Sequence, residues 1–444
     1  MFDYFSRLAT LNDKIDPSFY QTYDVKRGLR YSDGRGVLVG LTRIGDVVGY
    51  EVRDGEKAAV PGRLLYRGYD IEDLVRDTEQ RDEFGFEQAV FLLLFGELPT
   101  ASQLAEFRAL LGTMRALPEH FVNDMIMKAP SSDIMNKLAR SVLACYSYDT
   151  DPEDTGVQNV LKQSLELIAR FPTMAAYGFQ AKRHYYDGKS LYIHNPDPAL
   201  STAENLLRLI RADKAYTRLE AELLDLSLII HAEHGGGNNS SFAIHVVSSS
   251  DTDTYSAISA AVGSLKGKRH GGANIKVIEM VDDIKENVRD WSSEREVGGY
   301  LRKIVRKEAF DRSGLIYGQG HAVYTVSDPR ALLLREKAKK LAEEKGVLDE
   351  YGLYRLIEQL APELVAEEKQ TGKLICANVD FYSGFVYSMM DIPRELFTPI
   401  FAISRVAGWA AHRIEELVSG GRIYRPAFKN VGSPRAFIPL EQRR

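Results

Sequence analysis

One apolar stretch near the C-terminus constrains the fold of this chain more than any other feature. It reads ELFTPIFAISRVAGWAAHRIEELVSGG, starts at Glu395 and ends at Gly420 and Gly421. A helix on the protein surface carries polar side chains along its solvent face. This stretch has too few of them, so we predict a helix that lies at the centre of the fold or at a subunit interface.

Helical signals extend over most of the chain. The stretch Phe86–Phe95 predicts a helix that Gly96 ends, and Thr100 with Gln103 forms a capping box for the next helix. A later stretch places four apolar side chains on one helical face: Val277, Val281, Ile284 and Val288. Short β-type runs between glycines occur before about Asp70 and fit two or three strands. We therefore predict a mainly α fold with a few short N-terminal β-strands.

Length and charge limit the class of protein. The 444 residues suffice for two or three domains, or for one large domain with an insertion. A net charge of -5, from 57 basic and 62 acidic residues, does not favour nucleic-acid binding. Cys145 and Cys376 form no metal-ligand motif and fit a reducing compartment. Because we find no targeting segment and no apolar run of roughly 20 residues, we expect a cytoplasmic protein.

Asp380 is the only carboxylic acid in the apolar and aromatic run LICANVDFYSGFVYSMM. A buried carboxylate without a partner costs free energy. One interpretation is that Asp380 caps a helix or turns to solvent. The other is a general base whose pKa is raised by apolar surroundings. This run alone leaves both open.

The segment HAEHGGGNNSS carries two histidines three residues apart, which a helix would place on one face before the glycines end it. A metal held by His231, His234 and Glu233 is one interpretation. The spacing differs from the i, i+4 pair of a zinc metallohydrolase helix, and a further ligand is not evident. The alternative is a polar helix end with a hydrogen-bonded histidine.

Two further glycine-rich segments carry a histidine. In KGKRHGGANIKV, His270 precedes a predicted helix start. The N-terminus of a helix suits an anion, so this segment could bind one. The alternative is an ordinary helix start with solvated basic side chains. In GLIYGQGHAVYTVSDPRA, His321 follows two glycines, and Arg330 follows the Asp328-Pro329 helix start. The glycine spacing does not match a dinucleotide-binding fold.

Taken together, these residues indicate one kind of chemistry. Histidines donate hydrogen bonds to oxygens that become negative, and arginines bind carboxylates through two parallel hydrogen bonds. A carboxylate in an apolar setting can remove a proton from carbon. The combination suits enolisation of a carbonyl compound and its addition to a polycarboxylate. The residues are His234, His270, His321, Asp380, Arg330, Arg405 and Arg425.

The segments HAEHGGGN, HGGAN, GQGHAVYTVSDPRA, NVDFYSG, SRVAGWAAH and RIYRP resemble, in order, motifs of the citrate synthase family. The similarity extends upstream through RLLYRGYDI and covers most of the chain from about Gly40 onward. It implies a helical homodimer with a large domain, residues 1–272 and 386–444. A small domain, residues 273–385, would close over the substrates.

The resemblance also implies a role for each residue. His270 would donate to the thioester carbonyl of acetyl-CoA, Asp380 would take the methyl proton, and His321 would polarise the oxaloacetate carbonyl. Oxaloacetate would be held by His234, Arg330, Arg405 and, from the partner subunit, Arg425. Hydrolysis of citryl-CoA would then give citrate and CoA, with no metal or other cofactor.

Contacts to CoA are predicted at Ile316, Gly318, Gly320, Ala322, Asn378 and Lys268. Many relatives have a basic residue shortly after the glycine-histidine motif, whereas this chain has Tyr324-Thr325-Val326. Lys266, Lys268 or Arg269 would then contact the CoA phosphates. Three alternatives remain: a 2-methylcitrate synthase that uses propionyl-CoA, a catalytically inactive helical scaffold, and a His-ligated metallohydrolase.

Overall fold

The computed structural model describes residues 1–31, 35–53, 56–370, 372 and 374–443. The chain forms two compact units, one of Met1–Gly40 with Ile423–Arg444 and one of Leu41–Arg422. The unit of the two termini contains helices α1, Phe2–Asp13, and α2, Ser18–Thr22, neither of which has a buried residue.

The larger unit begins with an antiparallel sheet of β1, Gly45–Arg53, β2, Glu56–Tyr66, and β3, Tyr69–Asp70, in that order. Arg67 and Gly68 connect β2 to β3, both with positive φ angles, 51° and 89°. Two consecutive positive φ angles match the twist of antiparallel strands in a tight hairpin. The prediction of a few short N-terminal strands is confirmed.

Fifteen α-helices follow in the described part of this unit. They are α3 (Ile71–Gln80), α4 (Phe86–Phe95), α5 (Ala101–Met114), α6 (Ile134–Cys145), α7 (Val157–Asp187), α8 (Thr202–Ile210), α9 (Arg218–His231), α10 (Asn239–Ser248), α11 (Thr254–Lys266), α12 (Ala273–Asn287), α13 (Glu294–Val305), α14 (Pro329–Lys345), α15 (Leu348–Lys369), α16 (Val379–Met389) and α17 (Phe397–Val418). The mainly α prediction is therefore confirmed.

The predicted local signals have the expected structural effects. Helix α4 ends at Gly96, whose φ of 80° is the left-handed conformation that favours glycine. Thr100 and Gln103 form the capping box of α5. The four apolar residues predicted on one helical face are all buried, three of them in α12 and Val288 directly after its end. None of the helices in the described ranges combines the length and apolarity that a bilayer span requires.

Helix α17 is central, as its composition predicts. It packs against α4, α7, α9, α10 and α11. Trp409, Arg405 and Arg413 are fully buried on it. Arg413 donates to Ser248 Oγ at 3.2 Å and to Thr252 O at 2.7 Å, so its charge is solvated by the fold. Buried polar groups need such partners, and two nitrogen atoms of Arg405 have none among the described residues.

Helices α12 to α16 pack on one another, and α14 also contacts α9 and β2. They fall within the predicted small domain, residues 273–385, apart from the last turn of α16. That domain boundary stays a prediction.

Candidate active site

Hydrogen bonds join the loop before His321 to the segment before α16. Gly320 N donates to Cys376 O at 2.7 Å, and Asn378 N donates to Gly318 O at 2.9 Å. Asn378 Nδ2 also donates to Gly320 O at 2.9 Å. At Gly318, φ is 77° and an added Cβ would lie 2.8 Å from the Phe381 side chain, so only glycine fits. The loop before His321 is therefore fixed to the start of α16.

Asp380 is the second residue of α16. The side chain of Asn378 caps this helix by accepting from Asp380 N at 3.0 Å, so Asp380 is not itself the cap. Burial raises the pKa of Asp380 to about 6, although Arg330 and Arg405 act in the opposite direction. A carboxyl group with this pKa is a stronger base than an exposed aspartate and is still ionised at neutral pH.

His321 is oriented by the backbone that follows it. Its Nδ1 accepts hydrogen bonds from Val323 N at 3.0 Å and Tyr324 N at 3.1 Å. Nδ1 is therefore unprotonated, and in the neutral ring the proton lies on Nε2. The Tyr324 ring stacks on the imidazole at 4.7 Å between centroids. His321 is thus built as an Nε2–H donor.

His234 lies beyond α9 and not on it, because the helix ends at His231. The chain leaves the helix where Glu233 N donates to Tyr66 Oη at 3.2 Å, and Gly235 follows with a φ of 81°. The expectation that a helix aligns His231 with His234 is therefore wrong. His231 instead donates Nδ1–H to Ser227 O at 2.7 Å, within its own helix.

The side chain of His234 packs against those of His321 and Tyr324. Its ring is perpendicular to that of His321, with centroids 5.2 Å apart. Burial, followed by the charge of Arg330, holds the pKa of His234 well below its usual value. Its buried Nε2 has no hydrogen-bond partner among the residues that the structure describes. A neutral imidazole nitrogen is thus available to another molecule.

Arg405 is fully buried and only partly satisfied. Its Nε donates to His231 O at 2.6 Å, whereas Nη1 and Nη2 have no hydrogen-bond partner in the described ranges. Burial lowers the pKa of Arg405 to about 10, so it stays charged at neutral pH. Its positive charge contributes to lowering the pKa values of His234, His270 and Asp380. Two parallel N–H groups at such a point match a carboxylate.

Arg330 already has a carboxylate partner. Its Nε donates to Asp328 Oδ1 at 3.0 Å and its Nη2 to Asp328 Oδ2 at 2.8 Å. Burial tends to lower the pKa of Arg330, but the charge and hydrogen bonds of Asp328 have the larger effect, so the pKa of Arg330 is raised overall. Asp328 Oδ2 also accepts from Val379 N at 3.2 Å, which links the start of α14 to that of α16.

His270 lies just before α12 and is held by Ser240. The distance from His270 Nε2 to Ser240 Oγ is 3.1 Å, and the same hydroxyl accepts from Trp409 Nε1 at 3.1 Å. Ser240 can give its single proton either to His270 or to Asn238 Oδ1, 2.9 Å away. If His270 receives it, the neutral ring carries its own proton on Nδ1. Burial lowers the pKa of His270 to about 4, which makes the ring neutral near pH 7.

The predicted CoA residues are placed differently from one another. Ile316 is buried, and the side chain of Asn378 is engaged with Gly320. Ala322 and Lys268 are exposed. These contacts stay predictions.

Arg425 lies in the unit of the two termini, where it is exposed, whereas the other six predicted residues lie in the larger unit. Sequence reasoning missed the role of Asp328 beside Arg330 and those of Ser240 and Tyr324. A signal existed only for Asp328, since an aspartate before Pro329 is a typical N-cap.

A charged group that can bind a carboxylate and a carboxyl group that can accept a proton define an enzyme site on a mainly helical fold. Comparison with known proteins gives the family. The family described as "Citrate synthase, C-terminal domain" matches residues 29–427. The chain therefore belongs to the citrate synthase family.

Individual relatives agree with this assignment. The chain is 34% identical to a citrate synthase of Haloferax volcanii, over 95% of this chain and 99% of the relative. It is 35% identical to a 2-methylcitrate synthase of Shewanella oneidensis, over 86% of this chain and 92% of the relative. A solved Thermoplasma acidophilum citrate synthase, in a ternary complex with carboxymethyl coenzyme A and oxaloacetate, has a TM-score of 0.76. That comparison has 26% identity and covers 94% of this chain and 99% of the other.

Proposed function

We propose that this protein is a citrate synthase that condenses acetyl-CoA with oxaloacetate and hydrolyses the resulting citryl-CoA to citrate and CoA. The observation that carries the proposal is the fully buried Arg405, whose Nη1 and Nη2 have no partner in the described ranges. Its charge contributes to lowering the pKa values of His234 and His270, which are neutral near pH 7, and acts against the burial that raises the pKa of Asp380.

Oxaloacetate binding uses the charged and neutral donors of the site. Arg405 pairs with a carboxylate through Nη1 and Nη2, and Arg330 contributes a second positive charge close by. We propose that His234 donates through Nε2, which is unpaired among the described residues, so that the single proton of the neutral ring lies on this nitrogen. Arg425 is proposed to come from the partner subunit.

Proton removal comes next. Asp380 takes a proton from the methyl carbon of acetyl-CoA, and the C–H electron pair forms the enol double bond. The electrons of the thioester carbonyl move to its oxygen, to which His270 donates from Nδ1. One such donor is worth roughly 3 kcal/mol of transition-state stabilisation. The raised pKa of Asp380, about 6, makes the difference between its pKa and that of the weakly acidic methyl group smaller.

Carbon–carbon bond formation involves His321. The electron pair of the enol double bond forms the new bond to the ketone carbon of oxaloacetate, the thioester C=O re-forms, and the π electrons of the ketone move to the ketone oxygen. His321 stabilises this oxygen by donating from Nε2, the nitrogen that its two backbone contacts leave protonated. Water then attacks the thioester carbonyl, the C–S bond breaks, and CoA leaves as the thiol.

We also propose the wider setting of this reaction. It needs no metal or other cofactor, and it serves entry into the tricarboxylic acid cycle. The active unit is a homodimer, and residues 273–385 close over the substrates. A cytoplasmic location is supported by Cys145 and Cys376, which are both unpaired thiols.

Small-angle scattering tests the closure of residues 273–385. Oxaloacetate is expected to reduce the radius of gyration, whereas an unchanged radius with confirmed binding would contradict closure.

A 2-methylcitrate synthase is the second candidate, because the relative from Shewanella oneidensis is as similar as the citrate synthases are. One additional methylene in the acyl donor changes binding by only about 1–3 kcal/mol. The test is kcat/KM for acetyl-CoA and propionyl-CoA under the same conditions. A higher value for acetyl-CoA supports our proposal, and a higher value for propionyl-CoA supports the second candidate.

Two further alternatives have their own tests. Activity lost on chelation would favour a metal enzyme, and no CoA release with either donor would favour an inactive scaffold.

A further inference from the structure

A row of four ionisable side chains extends from Glu233 through His412 and His245 to Glu416, and it is most deeply buried at Glu233 and His412. Glu233 Oε1 lies 3.0 Å from His412 Nε2. His412 Nδ1 lies 3.2 Å from His245 Nε2, and His245 Nδ1 lies 2.8 Å from Glu416 Oε2. Glu233 and His412 are both fully buried. None of these side chains has a part in the proposed reaction.

We propose that His412 is a positioning residue: by holding the carboxylate of Glu233, it keeps the guanidinium of Arg405 available to a substrate carboxylate. The inference rests on the proposed function, because it concerns the group that would bind oxaloacetate.

Helix α17 places two cationic side chains, Arg405 and His412, beside the carboxylate of Glu233. Arg405, Gly408 and His412 lie three and four residues apart and thus share one face of the helix. An added Cβ on Gly408 would lie 2.5 Å from Glu233 Oε2, so the Glu233 carboxylate crosses this face between the two cationic side chains. On the opposite side, a Cβ on Gly45 would lie 2.7 Å from Glu233 Cγ. The two glycines confine Glu233 beside the helix.

The pKa shifts of these side chains indicate that Glu233 pairs with a charged His412. Burial tends to lower the pKa of His412, but Glu233 and Glu415 raise it, to about 9. His412 is therefore charged at neutral pH, and its ion pair with Glu233 counteracts the upward effect of burial on the Glu233 pKa, which is lowered overall. Burial and the charge of His412 lower the pKa of His245, so His245 is the neutral member that accepts the hydrogen bond.

Loss of His412 would change the partner of Glu233. A buried carboxylate without a counter-ion is strongly disfavoured, and the next cation along the helix face is Arg405. A carboxylate and a guanidinium pair through two hydrogen bonds, which would occupy the Nη1 and Nη2 atoms that have no partner in the described ranges. Oxaloacetate would then compete with an internal carboxylate.

The test is a cycle of four proteins: wild type, His412→Ala, Glu233→Gln and the double variant. We expect His412→Ala to raise the KM for oxaloacetate about 10- to 100-fold, while kcat at saturation changes by less than about threefold. The double variant should return to within about threefold of Glu233→Gln, because a neutral amide does not neutralise Arg405. Circular dichroism checks the fold of each protein.

Several results would overturn the proposal. They are an unchanged KM in His412→Ala, a fall in kcat alone, and a double variant as impaired as His412→Ala. If His412→Ala does not fold, His412→Gln with and without Glu233→Gln provides the same comparison. Calorimetric titration with oxaloacetate tests the inference independently of turnover, so wild-type binding without CoA release would contradict the proposed function alone. Absence of wild-type binding would contradict both.

A cation other than a proton is the competing explanation. The ligand atoms of His245, His412 and Glu415 lie within 4.8 Å of one another, a set that a divalent ion could occupy. Our proposal requires that dialysis against a chelator leave the KM for oxaloacetate unchanged. A rise in KM on chelation that zinc reverses would overturn it, because a metal would then take the place of the proton on His412.

Discussion

Asp380 and Arg405 are charged side chains in surroundings that disfavour their charged forms, and the proposed reaction accounts for both. Burial raises the pKa of Asp380 to about 6, which strengthens it as a base. Burial lowers the pKa of Arg405 to about 10, while two of its nitrogen atoms have no partner among the described residues. Such costs are seldom retained without a function.

Substitution of Asp380 by Asn tests the base directly. The amide has nearly the same shape but does not accept the methyl proton, so we expect kcat to fall about 10²- to 10⁴-fold. The fold and oxaloacetate binding should persist, as judged by circular dichroism and a binding titration. Asp391→Asn is the matched control, because Asp391 is exposed just after the same helix and should leave kcat unchanged. A variant at position 380 that retains more than about a tenth of the wild-type kcat would exclude Asp380 as the base.

The pH dependence follows from the same carboxyl group. The base is active only when ionised, and its pKa in the folded protein is about 6, so kcat/KM for acetyl-CoA should rise with pH through this value. The lower pKa of His270, about 4, keeps that ring neutral on both sides of the transition. Initial rates from about pH 5 to pH 8 measure the profile. A nearly flat profile over this range, as expected for an ordinary aspartate with a pKa near 4, would contradict the assignment.

The sequence was sufficient to find the isolated carboxylate but not the partners of the buried charges. Asp380 could be predicted because its apolar neighbours are adjacent in the chain. Glu233 and His412 pair across 179 positions, a contact that only the packing of α17 against the end of α9 creates. The end of α9 before His234 also depends on a distant residue, Tyr66, whose hydroxyl contacts the backbone of Glu233.

At the scale of elements, Asp328 links the two helices that carry Arg330 and Asp380. It caps α14, forms two hydrogen bonds with the Arg330 guanidinium, and accepts from the first backbone N–H of α16. Asp328 thus links Arg330, which we propose to bind substrate, to the helix that carries the proposed base. Local sequence predicts the cap, whereas the contact with α16 requires the folded chain.

We expect Asp328→Asn to destabilise the protein, because the buried Arg330 would lose its counter-ion. Removal of one member of a buried ion pair costs about 3–5 kcal/mol in the free energy of unfolding. Urea unfolding followed by circular dichroism measures the change. Asp349→Asn, at an exposed position in the first turn of α15, is the control and should change stability by less than about 0.5 kcal/mol. Equal stability of the two variants would contradict the structural role of Asp328.

At the scale of the whole molecule, we propose that one chain and a single residue of a partner subunit form the site. Six of the seven predicted residues belong to Leu41–Arg422, and Arg425 belongs to the unit of the termini. The helix before it ends at Val418, and Gly420 follows with a φ of 62°. A homodimer in which Arg425 acts in trans is therefore a proposal about quaternary structure.

Mixing of inactive subunits tests this proposal. Homodimers of Arg425→Ala and of Asp380→Asn should each be nearly inactive. If Arg425 acts in trans, their heterodimer has one site with both defects and one with neither, so about half the wild-type activity per dimer should return. If Arg425 serves its own subunit, each site carries one defect and mixing restores no activity. Tagged subunits purified in two affinity steps provide the heterodimer.

The most direct test of the central claim is the reaction itself. Purified protein is mixed with acetyl-CoA and oxaloacetate, thiol release is recorded, and the product is identified by mass spectrometry. We predict that CoA and citrate form in equal amounts, that release requires oxaloacetate, and that Asp380→Asn suppresses both. CoA release that proceeds without oxaloacetate, or a product other than citrate, would contradict the account.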